Sequence, residues 1–181
     1  MRHGRRGILP AVAVLAVACL GAYQVWGQLD GTTVESRETL LAEAMPAGYG
    51  WNLVSELELE GYLIGGALDN EGQSALAVFE PTVWEGYRLR EAVSYGADVA
   101  RNHVRINETW YDIAWFGGAA TEYAEITYTV DGEIQGPYRY DTTEMPVLCH
   151  PAPASSYTVS VTYYDGAGGQ YGEPPAASVH P

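Results

Sequence analysis

The chain has 181 residues with nine basic and 23 acidic side chains, a formal net charge of −14. Every basic residue is arginine, and all 23 acids fall from Asp30 onward, where only six arginines accompany them. Phosphate backbones would repel such a body, so the charge argues against nucleic acid as a partner.

Arg2, Arg5 and Arg6 precede a charge-free, apolar run over residues 7–29, and the acidic body follows it. A basic start, an apolar span and an acidic body predict a single-pass signal anchor at the cell membrane, N-terminus cytoplasmic and C-terminal part extracytoplasmic. The run is long enough to cross a bilayer, which takes about 20 apolar residues. Tyr23 and Trp26 stand where an interfacial aromatic belt lies. Two other readings differ at Cys19. Ala16-Val17-Ala18 offers a small-x-small exit for a cleaved signal peptide. Leu15-Ala16-Val17-Ala18-Cys19 resembles the bacterial lipobox, which implies lipidation of Cys19, although Ala16 stands where that motif usually has leucine. Length and the interfacial aromatics favour the uncleaved anchor. With Cys19 in the membrane, Cys149 has no partner in its own chain, so the exported part rests on its core rather than on a disulfide. At this size one domain suffices, because a chain of about 150 residues buries roughly 70% of the surface it exposes when unfolded.

Residues 32–45 predict a short juxtamembrane helix with Thr33 or Ser36 as N-cap and acids in its first turn, stopped by Pro46 and Gly48. It reads as a spacer between bilayer and body, so that residues 30–50 form helix and linker. From Trp51 the period changes to two. In "ELELEGYLIGGALD" the acids Glu56, Glu58 and Glu60 alternate with leucines, which predicts a strand with one wet face, turning at Asp69-Asn70-Glu71-Gly72. "SALAVFE" is apolar on both faces and predicts a central strand ended by Pro81. "GYRLREAV" predicts a strand with Arg88 and Arg90 on its outer face.

Asn107-Glu108 divides two β-rich runs in "HVRINETWYDIAWF" and predicts a hairpin or a tight bend. "EYAEITYTVDGE" is a strand closed by Asp131-Gly132. "GPYRYDTTEMPVLCHPAP" offers a short strand and then a proline-rich passage. In "YTVSVTYY" the period of two puts Tyr157, Val159, Val161 and Tyr163 on the core face. Residues 174–181 read as a flexible tail. About eight short strands at this spacing predict a mainly β fold, an antiparallel β-sandwich over residues 51–173, immunoglobulin-like or related.

"YTVSVTYYDGAGG" is similar to the closing strands of bacterial immunoglobulin-like modules, and "ITYTVDGE" to an inner hairpin of the same kind. An N-terminal anchor with an acidic, tyrosine-rich β body resembles small membrane-anchored surface proteins of Gram-positive bacteria. That resemblance implies a place, not an activity.

No residue pattern asks for a cofactor. Glu56, Glu58 and Glu60 repeat at about 6.6 Å along a strand, within reach of a glycosidase carboxylate pair, but they read as a solvated face. Asp69, Asp131 and Asp165 could offer oxygens to calcium, yet each has the simpler role of a turn residue. Cys149-His150, far in sequence from His103 and His180, makes a weak zinc motif. No nucleophile motif is present. Fourteen tyrosines and five tryptophans stand against two phenylalanines. Both faces of "TWYDIAWFGG" are apolar or aromatic, with Trp110, Ala114 and Phe116 on one and Tyr111, Ile113 and Trp115 on the other; core packing is the favoured role, and Trp110, Tyr111 and Trp115 are the candidate recognition patch. The expected function is binding without catalysis, the partner a protein or cell-envelope glycan. A carboxylate hydrolase of the envelope and a lipoprotein subunit are the alternatives.

Overall fold

The computed structural model describes residues 30–45, 50–95, 99–117, 121–171 and 177–179. The apolar run at 7–29, and Cys19 within it, lie outside the described residues. Among the described residues, no helix is long and apolar enough to cross a membrane.

Helix α1 (Val34–Ala44) begins at Thr33, whose hydroxyl accepts from Ser36 N while Ser36 Oγ accepts from Thr33 N, a reciprocal capping box. The segment expected to be a spacer is instead part of the body. Leu41 is fully buried, and Arg37 donates from Nε and Nη2 to both oxygens of Glu56 at 2.6 and 2.8 Å. A free-standing spacer would leave both in water.

The remainder is mainly β and antiparallel throughout. The first sheet is a meander of β1 (Asn52–Leu59), β2 (Tyr62–Leu68), β3 (Ser74–Pro81) and β4 (Tyr87–Tyr95), in that order. The stretch read as one strand from Glu56 is thus two, reversed at Glu60 (φ 51°) and Gly61 (φ 84°), a left-handed pair suited to a two-residue hairpin. β3 is central, as its two-faced apolar pattern predicts. The middle sheet holds β5 (Ala100–Ile106), β6 (Thr109–Trp115) and β9 (Val147–Pro151), ordered β5-β6-β9. β9 lies in the proline-rich passage expected to be irregular, at a sheet edge where missing N–H donors are tolerated. The third sheet holds β7 (Tyr123–Val130), β8 (Glu133–Asp141), β10 (Tyr157–Tyr164), β11 (Gln170–Tyr171) and β12 (Ala177–Val179). Its order is β11-β10-β7-β8, with β12 also on β10, so part of the expected tail is a paired strand.

Three cores stack these elements in layers. Leu41 and Met45 of the helical segment pack with Ala67, Ala75, Ala77 and Phe79 on one face of the first sheet. The other face sets Ile64, Leu76 and Val78 against Val104, Ile106, Ile113 and Trp115 of the middle sheet. The far side of the middle sheet sets Ala114 and Leu148 against Ile126, Tyr128, Val159 and Val161 of the third. Burial of the middle sheet on both faces is why "TWYDIAWF" shows no polar alternation. A register shift between Leu53 and Ser55 turns Leu53 toward the helix while Leu57 and Leu59 face the middle sheet.

Candidate functional site

The third sheet has one core face and one polar face. Along β10, Tyr157, Val159, Val161 and Tyr163 are buried and the residues between them half-buried, the expected register. β7 alternates likewise, burying Ala124, Ile126 and Tyr128. Opposite sides of the pleat therefore carry different chemistry. The outward side pairs Thr158 with Thr129, Ser160 with Thr127, Thr162 with Glu125 and Tyr164 with Tyr123.

At one end of this face the side chains are already stacked. Tyr123 and Tyr164 lie 4.5 Å apart between ring centres and 12° from parallel. The Arg139 guanidinium, on neighbouring β8, sits 3.6 Å from the Tyr123 ring centre, close enough for a cation–π contact. Tyr164 donates to Glu125 Oε2 at 3.2 Å, and Arg139 lies opposite Glu125 across the strands. The cluster is held before any partner arrives. Ile134, paired with Thr129 and 74% exposed, extends the face toward the β8 edge. Pro137 lacks an N–H there, which limits further strand addition.

Behind this face lies a polar cluster between the middle and third sheets that sequence reading did not assemble. Pairing sets His103 of β5 and His150 of β9 on either side of Asp112 of β6, one row across the middle sheet. Asp112 is buried; its Oδ1 lies 3.0 Å from His103 Nδ1, and its Oδ2 accepts from the Tyr157 hydroxyl at 2.9 Å. Trp110 stacks flat on the His103 ring, 4.6 Å between centres. Tyr140 is hydrogen-bonded to His150 Nδ1. Burial holds His150 below the ordinary histidine range, against an opposing pull from Asp112. Burial first, and then the Asp112 charge, pushes the Tyr157 and Tyr128 hydroxyls up. His103 Nε2 is buried without a hydrogen-bond partner, so the ring presents no nitrogen to solvent. The arrangement clamps two sheets together and stiffens the platform in front of it.

The residues singled out from sequence are dispersed. Trp115 is fully buried and Tyr111 is buried, both toward the first sheet, whereas half-buried Trp110 lies on the opposite side of β6. They do not form one patch, because successive residues of a strand point to opposite faces. Tyr111 donates to Glu60 Oε1 at 2.8 Å and Asn107 to Glu60 Oε2 at 2.9 Å, which ties two hairpin turns together. These two bonds, Tyr111 first, hold the Glu60 carboxyl below its usual range. Glu56 is already taken by Arg37, so two of the three strand acids serve as structural anions.

Asp69 Oδ1 accepts from Glu71 N and Gln73 N, and Asp165 Oδ1 from Ala167 N and Gly169 N; each carboxylate closes its own turn. Cys149 packs toward the first sheet while His150 contacts residues of the third, so the adjacent pair cannot converge on one ion. Burial pushes the Cys149 thiol up to about 12. Among the described residues, no group of three or more potential ligands is arranged to hold a metal.

Comparison with known protein families, curated proteins and solved structures gave no match.

Proposed function

We propose that this chain is a membrane-anchored extracytoplasmic binding module with a sandwich-type β body, which acts without catalysis on a protein or a cell-envelope glycan. The observation that carries this reading is the prestacked Arg139–Tyr123–Tyr164 cluster on the polar face of the third sheet. Tyrosine and arginine are the side chains that most often anchor protein interfaces, and a cluster fixed in advance loses little entropy on binding. The layer order supports the same reading. The helix that follows the anchor packs on the first sheet, two layers from this face, so the face is directed away from the anchored side. Arg139 and Tyr164 occupy positions against Tyr123 that a stacking sugar would need, which favours a protein partner over a glycan.

The test is site-specific photo-crosslinking in the native host. A photoreactive side chain at Thr162 should trap a discrete partner, one at Glu58 on the first sheet should not, and Arg139→Ser with Tyr164→Ser should abolish the Thr162 adduct. Equal trapping at both positions, or an adduct indifferent to the double substitution, would refute this face. Retention of the exported part on purified envelope polysaccharide, lost in the same double variant, would assign the partner to the glycan class.

A further inference from the structure

The loop between β3 and β4 holds the most exposed apolar side chains among the described residues: Val83 is 90% and Trp84 79% exposed. Its conformation is fixed rather than loose. Thr82 N donates to Gly86 O at 2.8 Å, Gly86 N donates to Thr82 Oγ1, and Glu85 adopts a left-handed φ of 63°. The base of the loop is clamped to the start of the body. Tyr87 N donates to Asp30 O at 2.7 Å, and a side chain at Gly86 would lie 2.2 Å from that same oxygen. Arg37 Nη1 donates to the carbonyls of Gly31 and Thr32, which holds residues 31 and 32 in place.

Asp30 is also the first charge after the apolar run, which ends at Leu29. Trp84 stands two residues, at most about 7 Å of chain, from Gly86, which itself packs on Asp30, where the run meets the body. A valine and a tryptophan are thus presented beside the residue at which the apolar run gives way to the body, and tryptophan partitions to the interface between headgroups and acyl chains. The surrounding charges are Asp30, Glu80, Glu85 and Arg88, and Arg88 is paired with Glu80 at 2.5 Å. No basic excess exists to attract anionic lipid.

We infer that Val83 and Trp84 form an interfacial foot that seats the first-sheet end of the body on the membrane, by apolar partitioning rather than by charge. The inference rests on the anchor reading proposed above. It gives the body a defined orientation, with the polar face of the third sheet turned outward.

The test uses the full chain carrying Trp26→Phe, reconstituted into phosphatidylcholine vesicles. Flotation with the vesicles tests the anchor. Quenching of tryptophan emission by brominated phosphatidylcholine tests the foot, because Trp51 and Trp115 are buried and Trp110 is half-buried. Trp84→Ala should reduce bromolipid quenching by at least about twofold, since the bilayer interface would hold only that indole. Raised salt should leave the quenching unchanged, and Val83→Ser should weaken it. Flotation with quenching indifferent to Trp84→Ala, and with Trp84 open to aqueous acrylamide, would overturn the foot and leave the anchor standing. Failure to float would overturn both.

Discussion

Tyr157 and Asp112, 45 residues apart in sequence and on different sheets, are joined by a 2.9 Å hydrogen bond from the Tyr157 hydroxyl to Asp112 Oδ2. Asp112's other oxygen is held by His103 at 3.0 Å. The carboxylate is therefore buried with both oxygens satisfied, the condition under which an interior charge is tolerated. Tyr157→Phe should lower stability by about 1.5–3 kcal/mol, the range for a hydrogen bond to a charged group. Asp112→Ala takes the shared acceptor from both and leaves Tyr157 and His103, 2.9 Å apart, with only each other, so it should lower stability by about 1–3 kcal/mol. In the double variant the Phe substitution should lose the part of its effect that Asp112 supplies and keep the part due to His103, and denaturant melts of the four proteins measure that coupling. Strict additivity would mean that the bond contributes nothing.

Gly66 of the first sheet lies directly against the Trp115 indole of the middle sheet. A Cβ on Gly66 would lie 2.3 Å from the indole, and Trp115 is fully buried. Gly66→Ala is predicted to destabilise the body by about 1–3 kcal/mol through overpacking. Replacing Trp115 by Leu removes the ring, so the alanine should be better tolerated in that background. A thermal-melt cycle showing equal loss in both backgrounds would contradict the contact.

Val161 and Thr162 test the register of β10. Val161 is 2% exposed in the core between the middle and third sheets, whereas Thr162 is half-buried opposite Glu125. Val161→Asp should cost several kcal/mol, a large share of the roughly 5–15 kcal/mol that holds a domain together. Thr162→Asp adds a carboxylate across from Glu125 and should cost about 1 kcal/mol. Equal losses in urea melts would show that the register is misassigned.

His150 supplies a pH dependence with a definite sign. Its folded pKa lies below the unfolded value because burial disfavours the imidazolium, so the unfolded chain binds the proton more readily. Its neutral form is the one suited to the fold, fully so above the unfolded pKa of about 6.5; that advantage is lost as pH falls through the lower folded value. Melting temperatures should therefore drop between about pH 7.5 and about pH 5, and His150→Gln should shrink that drop. A variant with an undiminished acid drop would place the dependence elsewhere.

The features legible in the sequence are mostly local. The capping pattern around Thr33, the period of two in "YTVSVTYY" and the turn residues Asn107 and Asp131 each act through neighbours a few residues away. Helix α1, the face of β10 and two hairpins were legible for that reason. The Glu60-Gly61 reversal is equally local but was hidden, because glutamate is an uncommon left-handed residue and the alternation runs unbroken to it. Half of the polar cluster was within reach too. A two-residue turn at Asn107-Glu108 pairs His103 with Asp112 by counting outward.

The rest needed the tertiary structure. Period alone separates Trp110 from Tyr111 and Trp115 but cannot tell whether an apolar strand face meets the core or a ligand; the stacking of three sheets places Tyr111 and Trp115 in a core and Trp110 against His103. His150 reaches Asp112 only because β9 joins the middle sheet across a proline-rich passage, and Tyr157 only because the third sheet packs over it. Tyr123, Tyr164 and Arg139 are brought together by strand pairing between segments whose contacts no local pattern encodes. Contacts at such separations follow from how layers bury one another, a property of the whole chain rather than of any window within it.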